Sequence, residues 1–186
     1  MKIGLCGTMS VGKTTLVNAL KNEPEFKNYL FRTERSKHLN SLGIPLNTDS
    51  TLKGQLVFAS ERAAELMQEN IITDRTIIDV MAFCELSKSM SIAEKQHING
   101  VLWHLIKEYD IIFHIDDLSI PIENNGVRET DENYRLSIHQ KISSILGMYR
   151  YMPGKVVTIS GTTEERIGKI KEEINMYNIY HGSTKY

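Results

Sequence analysis

Short apolar runs alternate with longer amphipathic segments along the whole chain. Five runs have the length and composition of buried strands: "KIGLC" at 2–6, "YLFR" at 29–32, "IITD" at 71–74, "DIIFHI" at 110–115 and "KVVTIS" at 155–160. The intervening segments are long enough for helices over 13–22, 51–68, 77–108 (as two helices), 131–147 and 163–176. In the segment "LKGQLVFASERAAELM", Leu52, Leu56, Ala59, Ala63 and Leu66 fall on one stripe at helical spacing. Strand–helix alternation of this kind predicts an α/β fold, a five-stranded parallel sheet with helices on both faces. No repeat, low-complexity tract or linker interrupts it, so residues 1–186 read as a single domain. One segment is unlike core: "IPIENNGVRETDENYR", 120–135, is polar and glycine-containing and reads as a lid running into a helix.

Composition narrows the picture only a little. With 22 basic and 23 acidic residues the formal net charge is −1, which gives no global attraction to nucleic acid or membrane. The longest apolar runs fall well short of the ~20 residues that span a bilayer. Cys6 and Cys84 lie in apolar segments, as reduced thiols of a cytoplasmic protein would. Six histidines show no tight ligand spacing.

The first strand is followed by "GTMSVGKTT". Gly7, four residues, then Gly12, Lys13 and Thr14 complete the pattern G-x-x-x-x-G-K-[ST], between a strand and a helix as that pattern requires. Glycines let backbone N–H groups converge on one anion, and the next helix aims its positive end at the same point. Gly7, Met9, Ser10, Val11, Gly12, Lys13, Thr14 and Thr15 are therefore the expected triphosphate cradle. Lys13 reaches the β- and γ-phosphates, and the Thr14 hydroxyl completes a Mg²⁺ shell. The expected cofactors are ATP and Mg²⁺. GTPases usually read guanine with N-K-x-D, and no such run occurs here; motor ATPases usually need more chain.

The third strand ends in Asp74-Arg75-Thr76, at the sheet edge where ligands bind in doubly wound folds. A carboxylate there holds Mg²⁺ through water or takes a proton from an attacking hydroxyl, and Arg75 neutralises phosphoryl charge. The second strand ends in "FRTERSK", where Glu34 lies between Arg32, Arg35 and Lys37. That cluster suits a general base or a hydroxyl anchor, and equally a solvated charge group.

These motifs together resemble the P-loop nucleoside and nucleotide kinases, in particular the ATPase-kinase group with the ribosylnicotinamide kinase domain of bacterial nicotinamide regulators and related phage kinases. The resemblance runs through "GTMSVGKTT", "TERSK", "GQLVFASERAAEL", "ITDRTIIDVMAF" and "NNGVRETDENYR", nearly the whole chain. It implies that Glu34 orients the acceptor as base, with Asp74 at the end of the third strand as the alternative. It also implies that Arg35, Gln55 and Phe58 line the acceptor site, with Gln55 reading a nucleobase. Arg128 and Arg135 would be lid arginines, and Gly161-Thr162 would lie against adenine. The reaction implied is transfer of a γ-phosphoryl group to a nucleoside, nucleotide or similar small molecule, without a membrane partner; a homodimer is compatible with it. Two other readings stay open: a polynucleotide kinase acting on a modified base or end of nucleic acid, for which "RTERSKH" is the only basic surface candidate, and a slow NTPase switch or assembly protein. D-R-T at the third strand departs from the D-R-[YH] of thymidylate kinases, so the acceptor stays open.

Overall fold

A computed structural model describes residues 1–33, 35–123, 130–149 and 154–182. Among them are five strands, β1 (Lys2–Cys6), β2 (Leu30–Arg32), β3 (Ile71–Asp74), β4 (Ile111–Ile115) and β5 (Lys155–Ile159), all parallel in the order β2-β3-β1-β4-β5. The helices are α1 (Lys13–Leu20), α2 (Ser36–Ser41), α3 (Leu52–Leu66), α4 (Ile77–Leu86), α5 (Ile92–Leu105), α6 (Glu132–Tyr149) and α7 (Thr163–Gly182). The long segment at 77–108 is two helices, and the break falls where Ser91 starts α5 with a capping box to Glu94. Among the described residues no helix is long and apolar enough to cross a membrane.

The three central strands β1, β3 and β4 are buried at nearly every position because both faces are covered. Ile3 and Leu5 of β1 and Ile111, Phe113 and Ile115 of β4 pack with Leu16, Val17 and Leu20 of α1 and Ile170 and Ile174 of α7. Cys6 and Ile112 face the other way, toward α4, α5 and α6. Gly4 is needed where the sheet meets α4: a Cβ there would lie 2.9 Å from the Tyr109 ring and collide with the Thr76 methyl.

Three features differ from the sequence expectation. Helix α2 has little apolar spacing and buries only Leu39. Helix α7 continues to Gly182, beyond the expected end at 176, and the Tyr177 hydroxyl donates to Asp110 Oδ1 at 3.0 Å, tying its last turns to the sheet. Helix α3 is rotated from the expected stripe: Leu56 is 45% exposed, while Gln55, Arg62 and Glu65 are buried. Carbonyls at the end of β3 repay the burial of Arg62, and Arg62 that of Glu65, as described next.

The sheet order fixes the site. The chain leaves β1 between β3 and β4, so the loop after β1 lies at the switch point of the topology, where a crevice opens. The register sets Leu5 beside Asp74 and Cys6 beside His114.

Candidate active site

The loop from Gly7 to Gly12 needs left-handed backbone at Ser10 (φ 57°) and Gly12 (φ 84°). A side chain at Gly7 would come within 2.8 Å of the Ile115 carbonyl. Gly12 is the N-cap of α1 and supplies no side-chain cap, which leaves the first amides of that helix available to an anion. Lys13 is buried and donates to the carbonyls of Gly7 and Thr8 at 2.7 and 2.6 Å. Burial, reinforced by the Arg75 guanidinium, lowers its ammonium from 10.5 to about 8.

Behind the loop, the Thr14 hydroxyl donates to Asp74 Oδ2 at 2.5 Å. Asp74 is fully buried, and its Oδ1 has no hydrogen-bond partner among the described residues. A buried carboxylate oxygen left over beside a threonine hydroxyl is a hard-oxygen donor set that fits Mg²⁺.

The turn carrying Asp74 and Arg75 is braced from two sides. Asp79 Oδ2 accepts from Thr76 N and Thr76 Oγ1 at 2.7 and 2.9 Å, forming a capping box at α4. Asp79 Oδ1 accepts from Gly7 N at 3.2 Å, so one carboxylate joins the phosphate loop to the β3–α4 turn. From α3, Arg62 donates to the carbonyls of Asp74 and Arg75 at 3.1 and 3.3 Å while pairing with Glu65 at 2.8 Å. Arg75 itself sits at φ 80°, unusual for a residue with a side chain, and its guanidinium lies 5.0 Å from the centre of the Phe83 ring.

Lys13, Thr14, Asp74 and Arg75 line a cleft of about 1060 Å³. One wall holds Arg35, Lys37 and His38 from α2 and its approach; the opposite wall holds Asp117, Gly161, Thr162 and Arg166. A narrow slot opens beside Arg75, between Gln55 and Phe58 of α3 and Val80 and Phe83 of α4. A basic phosphate loop thus lies between a wider arm near Gly161 and a slot walled by two aromatic rings and one amide.

The family model of the AAA domain matches residues 2–166. The chain belongs to the AAA domain family. Its fold is that of the P-loop nucleoside and nucleotide kinases. It is similar to deoxyadenosine kinase from M. mycoides with the products dCMP and a flexible dCDP bound (17% identity, 95% of this chain and 99% of that one, TM-score 0.67). It is similar to thymidylate kinase from Candida albicans (19%, 94% and 90%, TM-score 0.64). It is also similar to NadR protein in complex with NAD and AMP-PNP (19%, 92% of this chain and 48% of that one, TM-score 0.61). No curated protein matches the sequence significantly.

Within this AAA-domain fold the remaining expected residues separate. Met9, Ser10, Val11, Gly12, Thr14, Thr15, Gly161 and Thr162 line the main cleft, whereas Gln55 and Phe58 line only the slot. Arg135 lines neither: its side chain is buried, with Nη1 3.5 Å from Glu132 and Nε and Nη2 without partners among the described residues. Its carbonyl accepts from Thr8 Oγ1 at 3.1 Å, which packs the first turn of α6 on the phosphate loop. Glu34 lies outside the described residues, as do residues 124–129 of the expected lid, Arg128 among them. Arg62 and Arg166 escaped the sequence reading. Both sit in amphipathic helices whose pattern says nothing about which carbonyl a buried guanidinium will reach.

Proposed function

We propose that the chain is a Mg²⁺- and ATP-dependent kinase that transfers the γ-phosphoryl group to a hydroxyl or phosphate of a nucleoside-like acceptor. The observation that carries this reading is the Thr14–Asp74 pair, with its leftover carboxylate oxygen, set behind a phosphate loop between two unlike pockets. ATP would lie with its phosphates on the loop amides and its base toward Gly161-Thr162. The acceptor base would enter the slot, where Gln55 offers a donor and an acceptor and Phe58 and Phe83 offer rings.

Lys13 would leave the Gly7 and Thr8 carbonyls for the triphosphate oxygens, and Arg75 would neutralise charge on the transferring group. Thr14 and Asp74 would hold Mg²⁺, which would supply charge neutralisation for the triphosphate. The acceptor hydroxyl would be oriented by Asp74 or Glu34. Arg128 and Arg135 would act from the lid, residues 120–135, whose closure excludes the water that would otherwise hydrolyse ATP. Arg135 would have to leave its buried position to do so.

The cations Arg35 and Lys37 on one wall favour a second reading, in which the acceptor already carries phosphate, as a nucleotide or as a polynucleotide end. Incubation with Mg·ATP and a panel of nucleosides, monophosphates and oligonucleotide ends, followed by ³¹P NMR, tests both. A new phosphate ester on one panel member supports the kinase. Phosphate release alone rejects it in favour of a slow NTPase.

A further inference from the structure

Arg166 opens the second turn of α7, far from the phosphate loop in sequence, yet only 3% of it is exposed. Its Nη1 donates to the Val11 carbonyl at 2.7 Å, and its Nη2 pairs with Asp117 Oδ2 at 2.6 Å. Asp117 is held in turn: its Oδ1 accepts from Ser119 N and Ser119 Oγ at 3.1 and 2.5 Å. The Arg166 backbone amide donates to Thr162 at 3.0 Å, in the turn expected to face the ATP base. From the helix that follows β5, one guanidinium therefore ties the phosphate loop to the segment after β4.

We infer that Arg166 is a positioning residue for ATP, which presets the phosphate loop by anchoring the Val11 carbonyl, with Asp117 fixing its orientation. This rests on the reading of the loop as a triphosphate site. A peptide group is planar and trans, so its C=O and N–H point in opposite directions. Anchoring Val11 O thus fixes the direction of the Gly12 N–H, one of the amides expected to bind phosphate. The anchor is independent of Lys13, whose bonds to Gly7 and Thr8 must open when a triphosphate arrives. It also needs a fork: one nitrogen for the carbonyl and another for the carboxylate, a geometry Lys cannot reproduce in full. A Cβ on Gly12 would lie 3.1 Å from Arg166 Nη1, so the loop and this side chain are shaped to each other.

The test is Mg·AMP-PNP affinity by titration calorimetry on the full chain, with thermal midpoints, for Arg166→Met, Arg166→Lys, Asp117→Ala and the double variant Arg166→Met/Asp117→Ala. Arg166→Met should weaken binding at least ~10-fold, Arg166→Lys should recover part of it, and the double variant should bind no worse than Arg166→Met. In transfer assays the ATP KM should rise while the acceptor KM stays within about twofold. Arg166→Met affinity within about twofold of wild type, whatever its thermal midpoint, would overturn the inference, as would additive losses in the double variant. Should Arg166→Met fail to fold, Arg166→Lys and Asp117→Ala decide by the same criteria. Binding is read without acceptor, so absence of transfer by the wild type would overturn the kinase reading alone.

Discussion

Replacing Lys13 by Met should remove the chemistry and, at neutral pH, stabilise the fold. The folded lysine gives up its proton near pH 8, whereas an unfolded one holds it to about 10.5. Between those values the unfolded chain binds the extra proton, so stability rises with pH across the window. Below pH 8 the full cost of burying the ammonium is present, about 3 kcal/mol at ~1.4 kcal/mol per pK unit. Met carries no proton and avoids that cost. It forfeits the two hydrogen bonds to Gly7 and Thr8, ~1 kcal/mol each. The variant should therefore exceed wild type by ~1 kcal/mol at pH 7 and fall below it by about as much at pH 10. Urea unfolding of both proteins at the two pH values measures this, and titrations of groups remote from Lys13 cancel in the comparison. A gap between variant and wild type that is the same at both pH values would refute the reasoning. Transfer should meanwhile drop at least ~10²-fold, equivalent to ~2.7 kcal/mol of barrier.

Asp74→Asn should lower kcat at least ~10²-fold and steepen the Mg²⁺ dependence, because the leftover oxygen of a full carboxylate is lost; unchanged Mg²⁺ titration curves would remove Asp74 from a metal role. Gln55→Ala should raise the acceptor KM several-fold and leave the ATP KM alone, since Gln55 lines the slot and not the main cleft. Equal changes in both constants would take Gln55 out of acceptor recognition. Gly4→Ala should cost ~1–3 kcal/mol of stability and slow transfer, because the new methyl must displace Thr76 or Tyr109 and with them the turn holding Asp74; denaturation and initial rates report the two effects.

The phosphate loop was legible because its chemistry is local: two glycines, a lysine and a threonine act within eight residues, between a strand and a helix that are themselves readable from apolar spacing. The ends of β3 and β5 were legible once the parallel sheet was, since position in the sheet follows from alternation. What stayed hidden depends on distance. Arg166 meets Val11 across 155 residues and Asp79 meets Gly7 across 72, and no periodicity encodes such pairings. The α3 stripe misled for a related reason. Hydrophobic spacing favoured the Leu56 face, but the carbonyls at the end of β3 offer Arg62 partners, so the helix turns its polar groups inward and leaves Leu56 exposed. Helix α2 lacks an apolar stripe because it lies along the cleft wall, with Leu39 as its one buried contact.

The central claim is that the Thr14–Asp74 pair and the phosphate loop serve transfer to an organic acceptor. The most direct measurement follows the label from [γ-³²P]ATP in the presence of Mg²⁺ and the acceptor panel, for wild type and Asp74→Asn together. The account predicts label on one acceptor at a rate far above release to water, with both falling in the variant. Label appearing only as free phosphate, or on acceptor at equal rates in the two proteins, would contradict it.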